Sequence, residues 1–189
     1  MAAVVGRRRV NGLDVDALRD VVRDVEQDPT KSQVEFRVRS EWKGQTRSRS
    51  TVESYTLGGR TVYRHFTIDA DEPFELLGRN AAPNPQELLM AALNACLTVG
   101  YVAGAALRGI ELTKVEIETE GALDLRDFLG IDPGVRTGYD TIHYVARLGG
   151  DGTPAQFRAL HEAVVRTSPN YFNFHVSRPL SIDARLVVE

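Results

Sequence analysis

The chain has 189 residues, 42% hydrophobic and 26% charged, a size and balance that fit one well-cored globular domain, or two small ones, and exclude fibrous and disordered classes. A formal charge of −3 offers no basic footprint for nucleic acid, and no uninterrupted apolar run approaches the roughly 20 residues that span a bilayer, so neither nucleic acid nor membrane is expected as a partner. The single cysteine, Cys96, excludes an intrachain disulfide and a Cys-based zinc cluster.

Arg7, Arg8 and Arg9 lead into Asn11, Asp14 and Asp16, not into an apolar segment. No secretory signal is read there, and a free thiol then makes the reducing cytoplasm the expected location. Residues 14–27 place Val15, Leu18, Val21, Val22 and Val25 at spacings of three and four, which predicts an amphipathic helix stopped by Asp28-Pro29. Val34, Phe36 and Val38 then alternate with Glu35, Arg37 and Arg39, the pattern of a half-exposed antiparallel strand. A polar-rich segment at 46–57 meets Gly58-Gly59 and continues through Arg60 to Ile68, which reads as a hairpin.

After a loop at 69–83 comes the strongest helical signal, 85–108. Asn84 is placed as N-cap, Pro85 at the first helical position and Glu87 three residues past the cap, while Arg108 and Gly109 mark the end. Such a helix is roughly 36 Å long. Its small residues, among them Ala91, Ala92, Ala95, Gly100 and Ala103, lie on several faces, so cover from more than one side is expected, a second subunit included. Strands are predicted at 112–120, 140–148 and 180–188, with a Gly/Pro/Asp-rich excursion at 124–139 and a second helix near 154–167. Segregated strands and helices give an α+β class. Residues 1–30 read as an N-terminal extension and 31–189 as the domain.

Cys96 lies mid-helix, where a free cysteine ordinarily packs as a small hydrophobe. It is too far from the helix N-terminus for the dipole to help, so a reactive thiolate would need a cation from elsewhere in the fold. His65, His143, His161 and His175 show no ligand spacing and the paired glycines read as turns, so neither metal nor cofactor is expected.

The run Asn84-Pro85-Gln86-Glu87-Leu88-Leu89-Met90-Ala91-Ala92-Leu93-Asn94-Ala95-Cys96-Leu97-Thr98, followed by Arg108-Gly109-Ile110, resembles the OsmC / organic hydroperoxide resistance family. Val115 to Gly121 and Ser168-Pro169 follow in that family's order, so the resemblance covers roughly 33–189. It implies antiparallel sheets packed on a long central helix, in an intertwined homodimer with its site at the subunit interface. In peroxidase members the helix cysteine attacks an organic hydroperoxide and becomes a sulfenic acid. A second cysteine, in a Cys-Pro pair, closes a disulfide that a dithiol such as dihydrolipoamide reduces. An arginine from an N-terminal strand or loop and a glutamate of the helix's first turn support the thiolate.

Three positions depart from that pattern or leave it open. Ser168 stands where the second cysteine belongs, so the two-cysteine cycle is absent. Gln86 stands at the glutamate's place, and Glu87 is explained as the capping-box partner of Asn84. Ten helical residues separate Gln86 from Cys96 by roughly 15 Å, so position 86 takes part only if a partner subunit brings it. Arg47 and Arg49 are the candidate arginines, on one strand face by alternation, with Arg47 preferred because it lies nearer the glycine turn. Tyr171 and Phe172, with Ser168, are candidates to line a binding pocket or to belong to the core. Two functions are expected from this. One is a one-cysteine thiol peroxidase, with Cys96 as nucleophile and an external thiol as reductant, in oxidative-stress defence. The other is a non-catalytic dimer that binds a small apolar ligand, with Cys96 structural.

Overall fold

The computed structural model describes residues 8–175, and the strand expected at 180–188 lies outside them. The chain divides into two compact units. Among the described residues, one holds 8–91 with Ala106–Ile110, and the other holds Ala92–Ala105 with 111–175.

In the first unit, β1 (Arg9–Val10) pairs with β2 (Leu13–Asp14) around Asn11-Gly12, whose φ values of 53° and 77° are those of a type I′ hairpin turn. The helix α1 (Val15–Gln27) begins where the Asp14 carboxylate accepts the Ala17 N–H at 2.9 Å, and Asp28 closes it. Its neighbours are an antiparallel sheet of β3 (Val34–Phe36), β4 (Arg39–Trp42), β5 (Ser48–Leu57) and β6 (Arg60–Ala70). Both β3 and β4 pair with β5, at opposite ends of its length, and β6 pairs along the other edge through the Gly58-Gly59 turn. The strand expected across 34–39 is therefore two short strands, broken at Arg37-Val38.

The half-burial expected of that alternation is absent, because Val34, Phe36 and Val38 are all exposed in the single chain. Register puts Trp42, Phe66 and Ile68 on one face of the sheet, and these too stand in solvent. Alternation sorts apolar from polar faces, but burial needs a second layer, and these residues have none among the described residues.

The loop that leads into α2 (Pro85–Arg108) is organised by Asp71. Its buried carboxylate accepts the Thr46 hydroxyl at 2.8 Å and the backbone N–H groups of Glu72, Arg79 and Ala81 at 3.0, 3.1 and 3.2 Å. Desolvation pushes the Asp71 pKa up, but the hydrogen bonds together outweigh it and hold the carboxyl below its usual range. Gly78 is required here, since a Cβ would lie 1.7 Å from the Glu72 carbonyl oxygen. The helix start is as expected: Asn84 Oδ1 accepts the Gln86 and Glu87 N–H groups at 3.0 and 2.9 Å, and Glu87 accepts the Asn84 N–H at 2.8 Å. Gly109, at φ 70°, ends α2. By length and composition α2 is apolar enough to cross a membrane, a correction to the expectation that no such stretch exists. Asn94 and Thr98 interrupt the apolar run without offsetting its average.

In the second unit β7 (Leu112–Gly121) and β8 (Ile142–Gly150) form an antiparallel ladder, with the short α3 (Leu125–Phe128) in the excursion between them. Next come α4 (Pro154–Thr167), started by a Thr153/Gln156 capping box, and a short α5 (Pro169–His175) of about two turns that the sequence did not suggest. The core is a seam between α2 and α4. Leu93, Leu97, Tyr101 and Ala105 recur every four residues on α2, and Leu160, Val164 and Ser168 do so across from them, all buried. Contacts of Cys96 with Ser168, of Gly100 with Val164 and of Tyr101 with His161 run in opposite directions along the two segments, so the helices are antiparallel. A Cβ at Gly100 would come within 2.9 Å of Val164 Cγ1, which makes glycine the residue that lets the helices approach here.

Candidate active site at Cys96

The sulfur lies at the end of the seam where Gly100 permits close approach. Cys96 is partly buried and its Sγ is 3.3 Å from Ser168 Oγ, across 72 residues of sequence. Ser168 is 6% exposed, and its Oγ accepts the Tyr171 N–H at 3.2 Å, the first-turn bond that starts α5. A serine hydroxyl has one proton and two lone pairs. With Tyr171 occupying one lone pair, the hydroxyl keeps its proton and a second lone pair for the sulfur, so either atom can donate while the thiol is neutral; once the thiol is ionised only the Ser168 hydroxyl can donate.

Three further bonds hold this arrangement. Asn170 Nδ2 donates to the Ala92 carbonyl at 2.8 Å, tying α5 to the helix turn before Cys96. On the other side, Asn94 Oδ1 accepts the Thr119 hydroxyl at 2.5 Å and its Nδ2 donates to the Ile117 carbonyl at 3.4 Å, anchoring α2 to β7. Sequence reasoning missed all three residues.

Of the expected site residues, Cys96, Ser168 and Tyr171 come together. Phe172, on the same short helix, is 62% exposed and lines nothing around the sulfur. Arg47, Arg49 and Gln86 make their contacts within the other unit. Arg49 forms a two-pronged pair with Asp69 at 2.6 and 2.8 Å, and that bond holds the Asp69 carboxyl below its usual range. Arg47 precedes β5 and does not lie within it. Its backbone closes a turn with Lys43 and Gly44, and its guanidinium has no hydrogen bond or ion pair among the described residues. Gln86 is exposed on the first turn of α2. Among the described residues no cluster of three metal-ligating side chains occurs.

The model of the family described as OsmC-like protein matches residues 78–182. The chain belongs to the OsmC-like family. No curated protein matches it in sequence. Among solved structures it is similar in fold to an OsmC-like protein of Mycoplasma pneumoniae, at 14% identity over 76% of this chain and 89% of that one, with a TM-score of 0.58. A Psychrobacter arcticus protein, provisionally described as an osmotic-stress-induced and detoxification-response protein, aligns at 15% identity over 73% and 87%, with a TM-score of 0.57. An organic hydroperoxide resistance protein OsmC of Legionella pneumophila aligns at 19% identity over 75% and 89%, with a TM-score of 0.49. Within the OsmC-like chain, the long helix, its cysteine and Ser168 all fall inside the matched segment.

Proposed function

We propose that this OsmC-like chain is a one-cysteine thiol peroxidase that reduces organic hydroperoxides in oxidative-stress defence, as a cytoplasmic homodimer. The observation that carries the reading is the Ser168 hydroxyl aimed at Cys96 Sγ from 3.3 Å. A donor held there favours negative charge on sulfur, in the thiolate and equally in a sulfenate.

In the proposed step the Cys96 thiolate attacks the terminal oxygen of ROOH. The S–O bond forms as the O–O bond breaks, and the departing alkoxide takes a proton and leaves as ROH. The product is Cys96–SOH. Its reduction needs an external thiol, since Ser168 cannot form a disulfide: one thiol condenses with the sulfenic acid and releases water, and a second frees Cys96 and leaves as the oxidised disulfide. Of the two candidate arginines, Arg49 is paired with Asp69, whereas Arg47 has no hydrogen bond or ion pair from its guanidinium among the described residues. Assembly as a homodimer accounts for the apolar sheet face at Trp42, Phe66 and Ile68.

The test exposes wild type and Cys96→Ser to tert-butyl hydroperoxide with a sulfenic-acid trap, read by intact mass and peroxide consumption. Wild type is expected to gain one adduct at Cys96, and the variant to lose at least about a hundredfold of the consumption rate. No adduct at modest peroxide excess sinks the peroxidase reading and leaves Cys96 as a packing residue in a ligand-binding dimer.

A further inference from the structure

Away from the sulfur, a cleft of about 880 Å³ opens between β8 and α4, with Leu148 from the strand and Phe157, Arg158, His161 and Glu162 from the helix on its walls. Small-molecule sites fall roughly between 300 and 1,000 Å³, so this one is of ligand size. Cys96, Ser168 and Tyr171 are not among its lining residues, and the cleft stands independently of any peroxide chemistry.

Three features of its walls define a ligand. The strand side and Phe157 are apolar. Arg158 presents a guanidinium with no ion pair or hydrogen bond among the described residues. The third feature is His161, whose Nδ1 is 2.6 Å from Tyr101 Oη, with the two rings stacked at 11°. Tyr101 is fully buried and His161 Nδ1 is the hydrogen-bond partner of its hydroxyl; in the tautomer where the phenol donates, the neutral imidazole carries its ring proton on Nε2. That N–H has no partner among the described residues, on a ring held in place by a core hydrogen bond.

We propose that this cleft binds an apolar monocarboxylate, with its hydrocarbon against Leu148 and Phe157 and its carboxylate on Arg158, and His161 Nε2–H as the second donor. A planar guanidinium with an adjacent N–H matches the two oxygens of one carboxylate. Glu162, one turn beyond Arg158 on the same wall, adds a negative charge that disfavours a second anionic group on the ligand.

The experiment titrates sodium octanoate, 1-octanol and adipate separately into the full-length protein, followed by NMR of the His161 ring and the Ala146 and Leu148 amides. Octanoate is expected to shift these signals saturably with a Kd below about 1 mM, and octanol and adipate to bind about tenfold more weakly. Arg158→Gln, at an exposed position, is expected to weaken octanoate about fivefold without changing the thermal midpoint. The proposal is overturned if octanoate leaves the cleft signals unmoved, if octanol or adipate binds as tightly, or if Arg158→Gln has no effect.

Discussion

Along the α2–α4 seam, Leu97, Tyr101, Leu160 and Val164 are buried by side chains of their own chain, whereas on the β3–β6 sheet Phe36, Trp42 and Phe66 stand in solvent. Both regions are apolar, and both obey their own periodicity, every fourth residue in the helices and every second in the strands. What separates them is where the covering layer comes from. The seam is complete in one chain, so the Cys96–Ser168 geometry is intrinsic to the monomer. The apolar sheet face is exposed among the described residues, and in the proposed homodimer a second copy covers it.

The sharpest way to break the seam is at Gly100. Gly100→Val should cost about 2 kcal/mol of stability, read by denaturant titration, because the added methyls meet Val164, whose own χ1 is stiff. A comparable insult to the sheet should leave the fold standing. Phe66→Glu is expected to keep the circular-dichroism spectrum and to move the sedimentation coefficient from dimer to monomer. Equal unfolding by both variants would erase the distinction drawn between the regions.

Ser168→Cys sharpens the comparison without breaking anything. With 3.3 Å between the two side-chain termini, peroxide treatment should join Cys96 to Cys at 168, seen as a loss of two hydrogens by mass and of both free thiols. A sample that stays unbridged after oxidation would show that the termini do not meet as described. The smallest expected effect belongs to Asp71. Its carboxyl titrates lower folded than unfolded, so its contribution to stability is present above the unfolded Asp range and is lost as pH falls through the lower folded value. Asp71→Asn should therefore flatten the acid limb of a plot of Tm against pH and lower Tm by a few degrees at neutral pH. An unchanged acid limb would dissociate Asp71 from the loop's stability.

The parts of the molecule legible in the sequence are those fixed by neighbours in the chain. Asn84, Pro85, Glu87 and Gly109 define α2 to the residue, since caps act over one turn. The same locality gave α4 its bounds and the Gly58-Gly59 hairpin its turn. What the sequence hid depends on contacts across long separations. Nothing local announces that Asp71 gathers Thr46, Arg79 and Ala81, or that Tyr101 reaches His161 sixty residues on. The Cys96–Ser168 pairing was visible only through family resemblance. Its physical basis, two small residues facing each other beside a glycine, needed the fold. Arg47 and Arg49 looked equivalent by alternation, and the Asp69 fork on Arg49 is what separates them.

The shared helix also limits how this chain can be taken apart. Ala92–Ala105 go with one unit while the residues on either side, Pro85–Ala91 and Ala106–Arg108, go with the other. No single cut in the polypeptide, and no excision of a contiguous piece, returns either unit whole, because each owns part of one unbroken rod of backbone hydrogen bonds. Transplanting the cysteine-bearing half into another protein would mean carrying helix ends whose outer turns have lost their companions. Recombination at the boundaries of the two units would have to leave 85–108 intact.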